Sequence, residues 1–253
     1  MNTFLDLIAS HGSCRHYKLD PLPAATVEVI VSAGQHASTS SNLQACSVIA
    51  VSDSSKRAEL ARLCGDQKHI AEAPVFLAWC ADLARLERVA ELRGLKQKSA
   101  YVESFLTAAL DAAIAAQTAA LAAEALGLGI CYIGGLRNHP REAIALLKIP
   151  RLVFPIFGMT LGWPQKPVRP RPRLPQSAIL HWETYNSEQD SALQTYDHEM
   201  AATGIYENRQ VKIHDRPGEM EDYGWLEHTA RRVSKPTRIF LREILKEQGF
   251  PLE

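Results

Sequence analysis

Residues 99–126 are the longest helix-favouring run in the chain, and they are built largely of alanine. Leu106, Leu110, Ile114 and Leu121 recur on one face, with Leu126 close to it, which is the period of an α-helix. The alanines elsewhere let neighbouring backbones approach closely, so such a helix belongs at the centre of a fold or at a subunit interface. Gly127 is its natural C-cap. It opens the stretch Gly127-Leu-Gly-Ile-Cys-Tyr-Ile-Gly-Gly-Leu-Arg-Asn138, in which a short apolar strand (130–133) ends in a double glycine beside an arginine. With no Cβ in the way, backbone there can lie close to a flat or phosphorylated ligand. Together with His11-Gly-Ser-Cys-Arg15 and Arg171-Pro-Arg173, it suggests a cofactor held by basic groups and bare backbone.

The rest of the chain alternates helical and strand patterns. Residues 23–37 read as a helix, with Val27, Ile30 and Val31 at helical spacing and a proline in the first turn. A polar loop follows at 38–41, then a strand at 46–51. Residues 54–65 read as a helix that Ser54 or Ser55 can cap and Gly65 can end. The apolar run 73–81 suits a buried strand. A loop at Asn138-His-Pro140 opens a short helix through Leu147, and 154–162 reads as another strand. Residues 165–175 hold four prolines and four basic residues, which excludes regular structure and predicts an extended arm. The remainder, 176–253, is more polar, with helical pieces from about Tyr223 and a last helix starting at Pro236. This alternation places the body in a mixed α/β or α+β class.

The 253 residues suffice for one domain, or one domain with an appended piece. Twenty-eight lysines and arginines balance 28 aspartates and glutamates, which argues against a nucleic-acid or membrane-surface partner. The cysteines, Cys14, Cys46, Cys64, Cys80 and Cys131, are odd in number and form no CxxC pair. They read as reduced thiols of a cytoplasmic protein rather than a metal site or a disulfide framework. No secretory signal opens the chain. The apolar stretch 105–133 is broken by Asp111, Gln117 and Glu124, so it reads as a buried helix and not a membrane span.

Six motifs in order carry a family resemblance: His11-x-Ser13-x-Arg15, Ser40-Ser-x-x-Gln44, Gly65-x-Gln67-Lys-His69, Gly129-x-x-Tyr-Ile-Gly-Gly-Leu-Arg-Asn138, Leu161-Gly-Trp-Pro164 and Pro172-Arg-Leu-Pro175. From about residue 5 to the C-terminal helix the chain resembles the oxygen-insensitive NADPH nitroreductases and NADPH-flavin oxidoreductases, within the FMN-dependent nitroreductase superfamily. The resemblance implies an α+β fold, a central mostly antiparallel sheet flanked by helices, in an intertwined homodimer with FMN sites along its interface. It implies an FMN-binding core of residues 1–175 and a C-terminal excursion, 176–253, within the same fold. It also implies a ping-pong reaction in which NADPH reduces FMN and a nitroaromatic, quinone or free flavin then takes two electrons.

By the same resemblance, His11, Ser13 and Arg15 would bind the FMN phosphate and ribityl chain, arginine offering a bidentate fork. Thr39, Ser40, Ser41 and Gln67 would meet the flavin edge, which alternates donors and acceptors. Tyr132, Ile133, Gly134 and Gly135 would lie along the ring. Arg171 and Arg173 would form a second phosphate clamp; the family commonly has lysine at the first of these. Arg209, Lys212, Lys235 and Arg238 would meet NADPH, although the loop reads Glu207-Asn-Arg-Gln210 and keeps one arginine of the family's usual pair. Asn42 stands where the family often has an aromatic or apolar residue. From the residues alone, Ser13 also reads as a helix N-cap with Arg15 on the surface, the 39–41 loop as merely solvated, Glu124 as a surface residue, Arg171 and Arg173 as a basic connector on an acidic neighbouring surface, and Arg209, Lys212, Lys235 and Arg238 as plain surface charges. Cys14 reads as a packing residue, though its positive setting could lower its thiol pKa. No side chain is assigned a catalytic role, because the cofactor does the chemistry. The competing readings are an FMN-binding carrier or sensor without efficient NAD(P)H turnover, and a relative of the same fold acting on a special substrate.

Overall fold

The computed structural model describes residues 3–216 and 218–253. In chain order its elements are α1 (Thr3–Ala9), α2 (Ala24–Gln35), β1 (Cys46–Val51), α3 (Ser54–Leu63), α4 (Lys68–Glu72), β2 (Val75–Asp82), α5 (Ala84–Leu92), α6 (Val102–Ala125), β3 (Gly129–Ile133), α7 (Pro140–Leu147), β4 (Val153–Gly162), α8 (Asp190–Ala202), α9 (Trp225–Val233) and α10 (Leu241–Glu247). They fall into two compact units, Met1–Pro170 with Arg238–Glu253, and Arg171–Thr237.

The strands of the first unit form one sheet in the order β1-β2-β4-β3, with every neighbouring pair antiparallel. β2 is buried at all eight positions because both sheet faces are covered. Its alternation sorts the core: Val75, Leu77 and Trp79 pack with α2 and α6, whereas Phe76 and Ala78 pack with residues of α3, α4 and α7. At Gly158 of β4 a Cβ would stand 2.0 Å from the Phe76 ring, so only glycine lets that ring cross the strand.

α6 forms as expected, but the leucine stripe does not face the core of its own chain. The buried face is Ala108, Ala112, Ala115, Ala116, Ala119, Ala120 and Ala123, together with Asp111. Leu106, Leu110 and Ile114 remain between 44 and 51% exposed. The reason is approach distance. At Gly34 of α2 a Cβ would lie 2.8 Å from the Ala115 carbonyl oxygen and 3.2 Å from the Ala119 Cβ, so the two helices meet where neither carries bulk. α6 is long and apolar enough to cross a membrane, yet its alanine face is packed into the core.

Other boundaries also shift. The cap of α3 is Asp53, which accepts the Lys56 N–H at 2.8 Å; Ser55 donates to that carboxylate instead of capping. Gly65 and Gly127 follow the last residues of α3 and α6 with φ of +92° and +77°, the left-handed turn that glycine favours. The last helix begins at Leu241 rather than Pro236, because Arg238 is itself left-handed (φ 51°). α8 lies in the stretch that read as polar; only Tyr196 and Met200 of it are buried, too few to mark a period. The C-terminal residues return to the first unit, where Ile244, Leu245 and Phe250 join Phe105 and Phe154 in a separate apolar cluster.

Candidate functional site

β3 ends in a 3-10 turn, Gly134–Arg137, whose backbone is closely packed on one side. A Cβ at Gly135 would lie 2.5 Å from the Cys64 carbonyl oxygen and 2.7 Å from Gln67 Nε2. Gln67 itself donates to the Cys64 carbonyl at 2.6 Å. The turn around Gly65 and Asp66 thus sets a side-chain amide directly against the double glycine, joining two motifs that are far apart in sequence. At the end of the turn, Asn138 Oδ1 accepts from Arg238 at 3.0 and 2.9 Å, and Arg137 donates to the Ile156 carbonyl. Burial lowers the Arg137 pKa, with the neighbouring Arg238 cation adding to the effect.

The His11–Arg15 segment lies along the start of the same strand. The Cys14 N–H donates to the Ile130 carbonyl at 2.8 Å, and Tyr17 bonds both the Cys14 carbonyl and Thr160. Gly129 makes room for this contact, since a Cβ there would lie 2.6 Å from that of Cys14. Cys14 is buried and its pKa is raised by that burial, which outweighs Arg15; the positive setting does not activate the thiol. Ser13 and Arg15 are exposed, with Arg15 near enough to His69 to help burial lower that imidazole's pKa. His11 Nδ1 meets Glu124 Oε1 at 2.6 Å. Glu124 is therefore not a surface residue: its side chain is only 12% exposed, and its charge adds to the burial that raises the Tyr132 phenol pKa. The Tyr132 hydroxyl donates to Gln117 at 3.2 Å.

The Thr39–Ser41 loop is held by a residue that periodicity does not single out. Asp111 is 2% exposed, and its two carboxylate oxygens accept the Ser40 N–H at 3.0 Å and the Ala45 N–H at 2.9 Å. Between these anchors Ser41, Asn42 and Gln44 all adopt left-handed backbone, with φ of 48°, 57° and 52°. Such conformations persist where surrounding contacts over-determine them. The available sequence signal was a carboxylate amid alanines, since a buried charge requires donors.

A model of the Nitroreductase family matches residues 8–163, and one of the Nitroreductase family C-terminal domain matches residues 171–253. This chain belongs to the nitroreductase family. It is 36% identical to the FMN reductase (NADPH) of Bacillus subtilis, with 99% of each chain covered. It is 34% identical to the oxygen-insensitive NADPH nitroreductase of Salmonella typhimurium, again over 99% of each. The solved structure of the NADPH:FMN oxidoreductase from Vibrio harveyi complexed with NAD+ covers all of both chains at 31% identity with a TM-score of 0.87. The α+β nitroreductase fold expected from the six motifs is the fold observed.

Within this nitroreductase fold the remaining expected site residues belong mostly to the second unit. Arg173 donates to the Arg171 carbonyl at 3.4 Å, and Arg171 partly offsets the burial that raises the Tyr206 phenol pKa. Lys235 donates to the Lys212 carbonyl at 2.6 Å. A cavity of about 550 Å³ has Lys212 in its lining together with Glu207, Glu219 and Glu221, so carboxylates outnumber the cation there; Arg209 is not on this lining. Arg238, grouped by sequence with these three, belongs to the first unit and sits at the glycine turn. One organising residue escaped the sequence reading entirely: Arg231, 1% exposed, which donates to Glu227 and to the Val211 carbonyl at 2.6 and 2.7 Å and ties the loop to α9.

Proposed function

We propose that this chain is an FMN-dependent NADPH oxidoreductase that reduces nitroaromatics, quinones or flavins by two electrons in a ping-pong cycle. The observation that carries the reading is the packing of Gln67 against Gly135 at the end of β3, with the His11–Arg15 segment bonded to the same strand. Bare backbone, a side-chain amide and a basic, hydroxyl-bearing segment are the donor set that a flavin mononucleotide requires. Bound FMN supplies the redox chemistry. His11, Ser13, Arg15, Arg171 and Arg173 hold its phosphate and ribityl chain; Thr39, Ser40, Ser41 and Gln67 meet the ring edge; Tyr132, Ile133, Gly134 and Gly135 line its face. Arg238, Arg209, Lys212 and Lys235 serve the nucleotide donor. The odd number of cysteines, with no CxxC pair among them, supports a cytoplasmic setting.

The working unit is a homodimer. Support for this comes from the stripe of Leu106, Leu110 and Ile114 left exposed on α6, an apolar face with the spacing of a helix interface. Leu110→Glu is expected to turn a dimer into a monomer in sedimentation equilibrium and to release FMN; an unchanged dimer mass would remove α6 from the interface.

The test of activity is the visible spectrum of the purified protein before and after anaerobic NADPH or NADH. A yellow protein bleached by NADPH and restored by a quinone is the expected result, with NADH bleaching slower by no more than about tenfold, because the loop's cationic excess is small. The carrier or sensor reading has one observation in its favour, the carboxylates around Lys212. A yellow protein that neither nucleotide bleaches would establish it in place of the reductase. A colourless protein that FMN cannot reconstitute would remove both.

A further inference from the structure

Glu124 stands where a helix disfavours it. It lies in the last turn of α6, at the negative end of the helix dipole, and no basic residue occupies that turn. One of its oxygens contacts His11 Nδ1 at 2.6 Å. The other, Oε2, is buried and has no hydrogen-bond partner among the described residues. A largely buried carboxylate in this position needs a cation beside it, and His11 is the titratable group in contact.

We propose that Glu124 is a positioning residue for the FMN phosphate, acting through His11. The inference rests on the flavin reading above. The argument is one of tautomers. If His11 were neutral and donated from Nδ1 to Glu124, its Nε2 would present a lone pair and repel a phosphate oxygen. If it is the imidazolium, Nδ1–H donates to Glu124 and Nε2–H is free to donate to the phosphate. The carboxylate accepts from Nδ1–H and fixes the ring's orientation, and a phosphate placed at Nε2 finds a donor there only in the second arrangement. His11 is anchored from both sides for this work: its own N–H donates to the Ile8 carbonyl at 3.2 Å, and the following Gly12 is pressed against Val168 and Arg169, where a Cβ would lie 2.5 and 2.7 Å away. Tyr132, whose hydroxyl donates to Gln117, lies near enough to the carboxylate for its phenol pKa to be raised by burial and by that charge as well.

The prediction separates phosphate from ring. Glu124→Gln keeps the shape and an oxygen that can accept from Nδ1–H, but it removes the charge. Its dissociation constant for FMN, read by flavin fluorescence quenching, is expected to rise about tenfold, the effect of losing one charge-assisted hydrogen bond. Its dissociation constant for riboflavin, which lacks the phosphate, should stay within about twofold of wild type, as should the apoprotein's melting temperature within a few degrees. In a His11→Asn background the same substitution should change FMN binding by less than about twofold, because the group through which Glu124 acts is gone. Equal losses for FMN and riboflavin would overturn the proposal, as would a Glu124→Gln effect that persists undiminished without His11. If the wild-type protein binds neither flavin, the FMN reading itself falls and the proposal with it; if wild type binds FMN and only the variant pattern fails, the FMN reading stands alone.

Discussion

Asp111→Ala is expected to destabilise the protein by about 3 kcal/mol, the cost of stranding a buried backbone donor and losing a charged acceptor. The Ala45 N–H, at a residue with no exposed surface, would lose its 2.9 Å partner outright, whereas the Ser40 N–H can turn to water. Both anchors of the loop, at Ser40 and Ala45, would then be lost, and nothing from Asp111 would hold the left-handed backbone of Ser41, Asn42 and Gln44 between them. The loop should relax and FMN affinity should fall with it. Asp111→Asn keeps one accepting oxygen and should cost roughly half as much. Urea denaturation of the apoproteins checks the order: alanine least stable, asparagine intermediate. An alanine variant within about 0.5 kcal/mol of wild type would mean that the carboxylate does not hold the loop.

The second large effect is at the glycine turn, where the two neighbours behave differently. Gly135→Ala drives a methyl into the Cys64 carbonyl and the Gln67 amide, at 2.5 and 2.7 Å. The carbonyl belongs to the backbone between α3 and α4 and cannot swing aside as a side-chain end does, so overpacking of about 1–3 kcal/mol is expected. Gln67 is displaced as well, and FMN binding should weaken by more than about tenfold. Gly134→Ala meets nothing closer than the Arg137 Nη2 atom at 3.6 Å, an ordinary contact. Its apoprotein should be as stable as wild type, while FMN binding should still fall if the flavin lies on that backbone. Thermal melts of the two apoproteins and flavin titrations of both separate a packing role from a ligand role. Equal stability of the two alanine variants would contradict the packing described for Gly135.

Much of this was legible in the sequence because it depends on local repetition. α6, β2, β3 and β4 have a helical or an apolar-run pattern long enough to override their ends, and the glycines at 65 and 127 mark turns that only a residue without a Cβ adopts easily. The order of the motifs was sufficient for the family. Residue-type chemistry also pointed to the double glycine and to the basic segment before it.

Three things needed the tertiary structure. Periodicity placed leucines on one face of α6, and the ordinary inference puts the larger apolar face inside; the chain instead buries the alanines, because α2 and the sheet approach too closely for leucine, and that distance is a property of the neighbours. The partners of Asp111 and Glu124 lie 66 and 113 residues away, so no window along the chain contains both halves of either interaction. Arg238 reads as a cation at the start of the last helix that assists the nucleotide loop, but a left-handed turn before α10 carries it to Asn138 beside the glycine turn. Secondary structure follows from the spacing of side chains along one chain segment and is therefore written locally. Which face is buried, and which charge meets which donor, is decided by surfaces brought together only when the whole chain has folded.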